Sequence, residues 1–346
     1  MERLLFTRRQ MLKVAGVATG LAAAGMVLGP LDFLADDEPE EGLGPFGPWS
    51  PPVRIDELAS GAMDYHPAIS REGLSLYFTT TRYAPTFKVA IAVVRRPHRK
   101  AAWDLRTLTP VDNVNALGGN TAAPNLTPDG LRMYFQSNRL GHGGDLYVSS
   151  RRHSDDPWEP PVLVPGQLNT PTASESAATY FRDHATGIVR LYFSRFFGIG
   201  GVGDANQDFN IYVSVQDEDG AFGEGTIVPS LNSVPLPGDP PGTWSRDTRT
   251  AIRRDGLEMF ITSNRHGGLS YSGGPIENLW VATRADTSTE DWDLPTLVPS
   301  VNSGFGDGGP ALSWDARTLY FFSARTASGG PGNWQLWMST REELGD

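Results

Sequence analysis

The chain contains no cysteine. That removes disulfides, thiolate metal sites, cysteine nucleophiles and a lipidated cysteine anchor. Export remains open, because a large β-fold needs no covalent staple. Cationic charge is also short: the formal net charge is −11, and an acidic surface repels phosphate backbones, so no nucleic-acid partner is expected. The most apolar segment, residues 14–29, is weakly hydrophobic and falls short of the roughly 20 residues a membrane span needs. Several catalytic signatures are missing. There is no Gly-x-Ser-x-Gly elbow, P-loop, His-Glu-x-x-His pair or glycine-rich dinucleotide turn after a strand. The Asp-Gly turns also differ from the Ser-x-Asp-x-Gly-x-x-Trp box of sialidases.

What the chain does have is punctuation and aromatic bulk. It carries 39 Gly and 27 Pro in 346 residues, with 16 Phe, 10 Tyr and 9 Trp. So much Gly and Pro disfavours long helices and suits short strands joined by turns. The aromatics supply enough buried area to offset ordering entropy. One stretch recurs, seen most cleanly as PNLTPDGLRMYFQSNR at 124–139. It reads as strand, Asp-Gly turn, strand, then an Arg at the exit. Relatives of it end at Arg82, Arg265 and Arg325, and a stretched copy ends at Arg195. Five copies of one β-unit predict a closed repeat architecture.

Two further elements accompany each copy. Trp103, Trp158, Phe222 and Trp292 open similar WDLRTLTP-type segments, and LYV-type segments lie at 90–94, 145–148, 210–213, 278–281 and 335–338. Each unit therefore has four strands, called a to d. The last unit has only a to c, while a lone d-type segment, WSPPVRIDEL, stands at 49–58. Pairing the two seals a ring and hides a sheet edge. The predicted fold is all-β: a single five-bladed β-propeller over 48–346 with four antiparallel strands per blade, closed by the N-terminal outer strand joining the C-terminal blade.

The repeat Pro-x-Leu-Ser/Thr-x-Asp-Gly-x-x-Leu-Tyr-Phe-x-Ser-x-Arg resembles the WD40-like, TolB-type propeller repeat called PD40. The match spans 49–341, closest in blades 2 and 5. Blade 1 has Thr80-Thr81-Arg82 in place of Ser-x-Arg, and blade 3 replaces the Asp-Gly turn with a longer hairpin over 182–190. TolB itself has six blades and an added domain, so a Tol-pathway role does not carry over. The resemblance implies a propeller with an extracytoplasmic binding role. Residues 1–35 also resemble a twin-arginine export signal, with Arg8-Arg9 ahead of an apolar stretch and Lys13. Residues 36–47 read as an acidic linker. A periplasmic or extracellular bacterial protein is expected, with no membrane span in its mature form.

Propeller geometry sorts the connections. The d→a and b→c loops share one face, and the Asp-Gly turns lie on the other. The long loops at 196–209, 234–246, 266–277 and 326–334 all fall on the first face, so function is placed there. At the head of each inner strand stand Asp64, Thr121, Glu175, Asp247 and Asp307. A position repeated in every blade reads first as a tie between blades, paired with the strand-exit arginines. The alternative is a ring of channel carboxylates with separated pKa values. Residues without equivalents in other blades are the ligand-binding candidates: Tyr65, His66, Glu175, Trp244, Arg246 and Arg249. Asp204, Asn206 and Asp208 alternate as oxygen donors would around Ca²⁺, though without an EF-hand's Gly and terminal Glu; no other cofactor is expected. The functional reading is an exported, monomeric, non-catalytic binding or scaffold protein, taking a protein or carbohydrate ligand on its looped face. Its rival is a propeller glycoside hydrolase using Asp64, Glu175, Asp247 and Asp307 as catalytic carboxylates.

Overall fold

The computed structural model describes residues 43–141, 143–197, 208–234 and 245–345. The predicted signal segment and most of the acidic linker lie outside the described residues. Strand β1 (Val53–Arg54) stands apart from the first complete sheet. Blade 1 is then β2 (Asp64–Ile69), β3 (Ser75–Thr80), β4 (Ala90–Arg95) and β5 (Asp104–Pro110). Blade 2 is β6 (Thr121–Leu126), β7 (Arg132–Ser137), β8 (Asp145–Ser150) and β9 (Val162–Leu163). Blade 3 is β10 (Ser174–Arg182), β11 (Val189–Phe196), β12 (Phe209–Val215) and β13 (Thr226–Ile227). Blade 4 is β14 (Thr248–Ile252), β15 (Glu258–Ser263), β16 (Asn278–Thr283) and β17 (Thr296–Leu297). Blade 5 is β18 (Asp307–Leu312), β19 (Thr318–Arg325) and β20 (Pro331–Thr340), completed by β1. The result is five four-stranded antiparallel sheets in a ring, a five-bladed β-propeller. Among the described residues no helix is long and apolar enough to cross a membrane.

Ring closure occurs where the lone N-terminal segment was expected to bind. Val53 sits opposite Met338 and Arg54 opposite Trp337. The contact runs further in backbone bonds: Ser50 N–H to the Thr340 carbonyl at 2.7 Å, Ile55 N–H to that of Leu336 at 3.0 Å, and Leu344 N–H to that of Pro45 at 2.8 Å. Only two residues adopt ladder geometry, against ten expected, and a short 3-10 turn over Asp56–Leu58 follows. Proline explains the shortening. Pro51-Pro52 here, and Pro160-Pro161 beside β9, supply no N–H to a ladder, so the outer strands stay brief. The expected loop at 326–334 is shorter than predicted: β20 begins at Pro331, and β19 and β20 form a hairpin in which Arg325 faces Pro331.

The core lies between blades. In the Leu-Tyr-Phe run of β3, Leu76 and Phe78 pack toward blade 5 while Tyr77 packs toward blade 2. Side chains alternate by strand geometry, so a strand buried on both faces reads as a continuous apolar run. The tryptophans that open strand d have a second use. Arg96 stacks on Trp103, Arg151 on Trp158, Arg284 on Trp292 and Arg341 on Trp49, at 4.2–4.5 Å from each ring centre. Each of these arginines also donates Nε to a carbonyl in the a→b turn of its own blade, at Gly73, Gly130, Gly256 or Ala316. Blade 3 has Phe222 and a longer turn, and this clamp does not recur there.

Because β20 would lose its only outer neighbour, a chain starting at residue 59 should fail to fold cooperatively. One starting at residue 43 should retain the parent melting transition. Differential scanning calorimetry of the two truncations checks this, and equal transitions would refute the closure's contribution.

Candidate active site at the channel mouth

The repeated carboxylates come first, because their placement decides what remains available. Asp64 accepts both Arg82 Nε (2.9 Å) and Nη2 (2.7 Å), the Thr80 hydroxyl (2.6 Å) and the Ser60 hydroxyl (2.9 Å). Arg82 also donates to the Leu58 carbonyl at the end of the preceding outer segment. The same device recurs with Glu175–Arg195–Leu168, Asp247–Arg265–Leu231 and Asp307–Arg325–Val301. In blade 2 Thr121 takes the carboxylate's place, and Arg139 bonds the Val114 carbonyl and the Ser137 hydroxyl while lying 4.6 Å over the Tyr147 ring. All four carboxylate side chains are 0% exposed. They are pins joining a strand a, its strand b and the preceding d→a corner. None lines the channel. Burial pushes the Glu175 carboxyl up, opposed by bonds from Thr170 and by Arg195.

The channel is shaped by a bulge repeated in every inner strand. Register breaks between Tyr65 and Ala68, Ala122 and Asn125, Ser176 and Thr179, Thr248 and Thr250, and Gly308 and Ala311. At each bulge one residue takes positive φ: His66 (48°), Ala123 (53°), Ala177 (52°), Arg249 (49°) and Gly309 (60°). A strained backbone at non-glycine residues persists only where its surroundings over-determine it. Here the bulged N–H reaches the neighbouring blade: Ala123 donates to Thr79 Oγ1, Arg249 to Ser194 Oγ and Gly309 to Thr262 Oγ1. Gly309 is required at its position, since a Cβ there would come within 3.0 Å of His66 Cδ2 and 2.9 Å of the Phe322 ring.

Three of these five positions are Ala or Gly. The channel therefore keeps an open cavity of about 130 Å³, lined by the five inner strands and reaching Trp314 toward the Asp-Gly face. His66 and Arg249 are the two large side chains at the bulge level. Both ring nitrogens of His66 are buried without a hydrogen-bond partner, and so is Nε of Arg249. His66 packs against Tyr65 (4.4 Å between ring centres) and Phe322 (5.5 Å); Trp334 lies 5.2 Å from Tyr65 and 5.1 Å from Phe322. Burial, reinforced by the Arg249 charge, holds the His66 imidazole well below its ordinary pKa, so it is neutral. Burial raises the Tyr65 phenol, with the Arg249 charge opposing. Glu277, in the b→c connection of blade 4, acts electrostatically on Arg249 and lies 3.7 Å from Arg246. Arg246 in turn lies over the Phe209 ring, and the adjacent Ser245 N–H donates to Asp208 at 2.7 Å.

Tyr65, His66 and Arg249 thus meet at one mouth, with Arg246 on its rim. Glu175 sits apart in its pin, and Trp244 lies outside the described residues. Asp204 and Asn206 also lie outside them; Asp208 is described, and its carboxylate serves the Ser245 backbone. Among the described residues no group of three or more metal-ligating side chains converges. Sequence reasoning missed Trp334, Phe322 and Glu277. Their signal was present only as position: Trp334 ends a b→c connection, and Glu277 immediately precedes an LYV-type strand.

No family model matches the chain, and no curated protein does either. Solved structures do. A thermostable family-43 glycoside hydrolase superposes with a TM-score of 0.58 at 13% identity, covering 85% of this chain and 93% of that one. The α-L-arabinofuranosidase from Lactobacillus brevis gives 0.55 at 14% identity, covering 85% and 95%. An endo-arabinase from Bacteroides thetaiotaomicron gives 0.55 at 13%, covering 86% and 99%. At such identities the likeness concerns the fold. It nevertheless corrects the resemblance to WD40-like, PD40 and TolB-type repeats, and with it the reading as a non-catalytic binding or scaffold protein, since these structural neighbours are sugar-cleaving propellers. The physical reason for the mistaken resemblance is local: a bulge, a tight turn and a strand buried on both faces impose the same residue pattern on propeller blades generally.

Two outcomes follow from this geometry. Glu175→Gln leaves Arg195 buried and unpaired, so it should cost about 3–5 kcal/mol in urea unfolding; a loss under about 1 kcal/mol would deny the pin. For His66, the unfolded imidazole titrates near 6.5 while the folded one titrates lower, so folding loses stability as pH falls below about 6.5, by up to about 1.4 kcal/mol per pH unit. His66→Asn, which tolerates positive φ, should therefore gain in melting temperature relative to the parent between pH 7 and pH 5. A constant difference would show that the imidazole is not held neutral.

Proposed function

We propose that the chain is a glycosidase-like hydrolase acting at the mouth of its propeller channel. The single observation that supports this most is the composition of the mouth. An aromatic cluster of Tyr65, Phe322 and the partly exposed Trp334 stands beside His66 and Arg249, and Glu277 and Asp208 hold the adjoining Ser245-Arg246 segment. Aromatic side chains with a few fixed polar groups are what a small-molecule site requires. The shared fold with propellers named as arabinofuranosidase, endo-arabinase and family-43 hydrolase adds to this reading.

Glycoside hydrolysis needs two carboxyl groups, one to protonate the leaving oxygen and one to activate water or attack the sugar. Asp64, Glu175, Asp247 and Asp307 are unsuited to this, because each is fully covered and engaged by an arginine. Glu277 and Asp208 fit better. Both are partly exposed and flank the short segment Ser245-Arg246, one through Arg246 and the other through the Ser245 N–H. In this assignment Glu277 and Asp208 share the acid and base or nucleophile roles, and Arg249 orients the sugar. The Arg8-Arg9 motif supports export, so the substrate would be met outside the cytoplasm.

A panel of aryl glycosides and plant and algal polysaccharides tests this on the intact protein. Turnover should fall at least about 100-fold in both Glu277→Gln and Asp208→Asn, with melting temperatures unchanged. Turnover that survives in both variants would remove the assignment, and no turnover on any sugar would remove the hydrolase reading.

A further inference from the structure

Arg249 is unlike the other inward-set arginines. Arg82, Arg195, Arg265 and Arg325 each meet a buried carboxylate within 3.0 Å. Arg249 has no ion pair within 4 Å among the described residues; its side-chain bond is a weak one of 3.4 Å to Thr248 Oγ1, and its Nε is unbonded. Glu277 influences it from a distance but is also approached by Arg246, at 3.7 Å. Beside it His66, 5% exposed, lines the cavity with two unbonded nitrogens. Unpaired buried polar groups cost free energy unless something occupies them. Guanidinium groups recognise carboxylates through paired N–H donors. The cavity, about 130 Å³, has room for a carboxylate against both groups.

We propose that Arg249 and His66 form a subsite for the carboxylate of an acidic sugar, so that the substrate class is a uronic-acid-containing saccharide. This rests on the carbohydrate reading above and narrows it. Small residues at Ala123, Ala177 and Gly309 leave the opposing side of the channel open for the group. An arriving carboxylate would accept a hydrogen bond from whichever ring nitrogen of His66 carries the proton.

The test is isothermal titration of the full chain with galacturonate, glucuronate, galactose and glucose. Either uronate should bind at least tenfold more tightly than its neutral partner. In Arg249→Met the ratio of uronate to neutral-sugar affinity should fall to about one, whatever the change in absolute affinity, and Arg249→Lys, with a charge but no fork, should keep part of the preference. Thermal unfolding of each variant confirms folding. Equal binding of acidic and neutral sugars would overturn the inference and leave the carbohydrate reading intact. A preference unchanged in both Arg249 variants would overturn it too. No binding of any of the four by the folded parent would overturn the carbohydrate reading itself, and this inference with it.

Discussion

The arginine that ends strand b is the constraint on which the rest of the molecule depends. In one side chain it joins the carboxylate at the head of strand a with the carbonyl of the preceding corner, and so ties each blade to its neighbour. A buried charge pair is weak evidence of net stability but strong evidence of fixed geometry once its hydrogen bonds are complete. Here every pin has extra donors: Ser60, Thr170, Ser233 and Ser303 each bond the carboxylate of their own corner. With corners held this way, the apolar cores between blades can pack in one register. The Arg-on-Trp clamps then tie the opposite face and the outer edge.

The same fixity produces the channel. Inner strands bulge at a common height, and each bulge requires positive φ, a conformation that costs of order 1–3 kcal/mol outside glycine. Interblade bonds to Thr79, Ser194 and Thr262 hold the strained residues in place. Repetition across five blades means that the strain belongs to the scaffold. Its consequence is local: the bulge aims one side chain per blade at the axis, and the choice of side chain sets what the channel holds. Two blades present His66 and Arg249, and three present nearly nothing.

Much of this was legible in the chain. The Asp-Gly turns, the two-sided apolar strands and the unpaired outer segment at 49–58 are local signals, and they led to five blades and the closure. The recurrence of Asp64, Glu175, Asp247 and Asp307 was readable as a tie, because a repeated polar position more often serves the repeat than the ligand. The unusual residues Tyr65, His66 and Arg249 stood out against that repeat. Less legible was which solved propellers the chain superposes on. The pattern that resembles PD40 repeats is the pattern any such blade needs, so local similarity could not separate it from the sugar-cleaving propellers that share the overall shape.

The sequence by itself determined the architecture, since turn chemistry, strand period and copy number are properties of neighbouring residues. It also determined which residues depart from the repeat. Only the tertiary structure decided which of those departures meet. Trp334 and Tyr65 are far apart along the chain yet pack edge to face, because closure brings the last blade against the first. Burial was likewise undecidable from the chain alone: Asp64 and Glu277 are both carboxylates near a strand head, yet one is sealed beneath an arginine and the other stands at the mouth. The reason is that accessibility and partner choice depend on how five sheets pack around an axis, which no local stretch encodes.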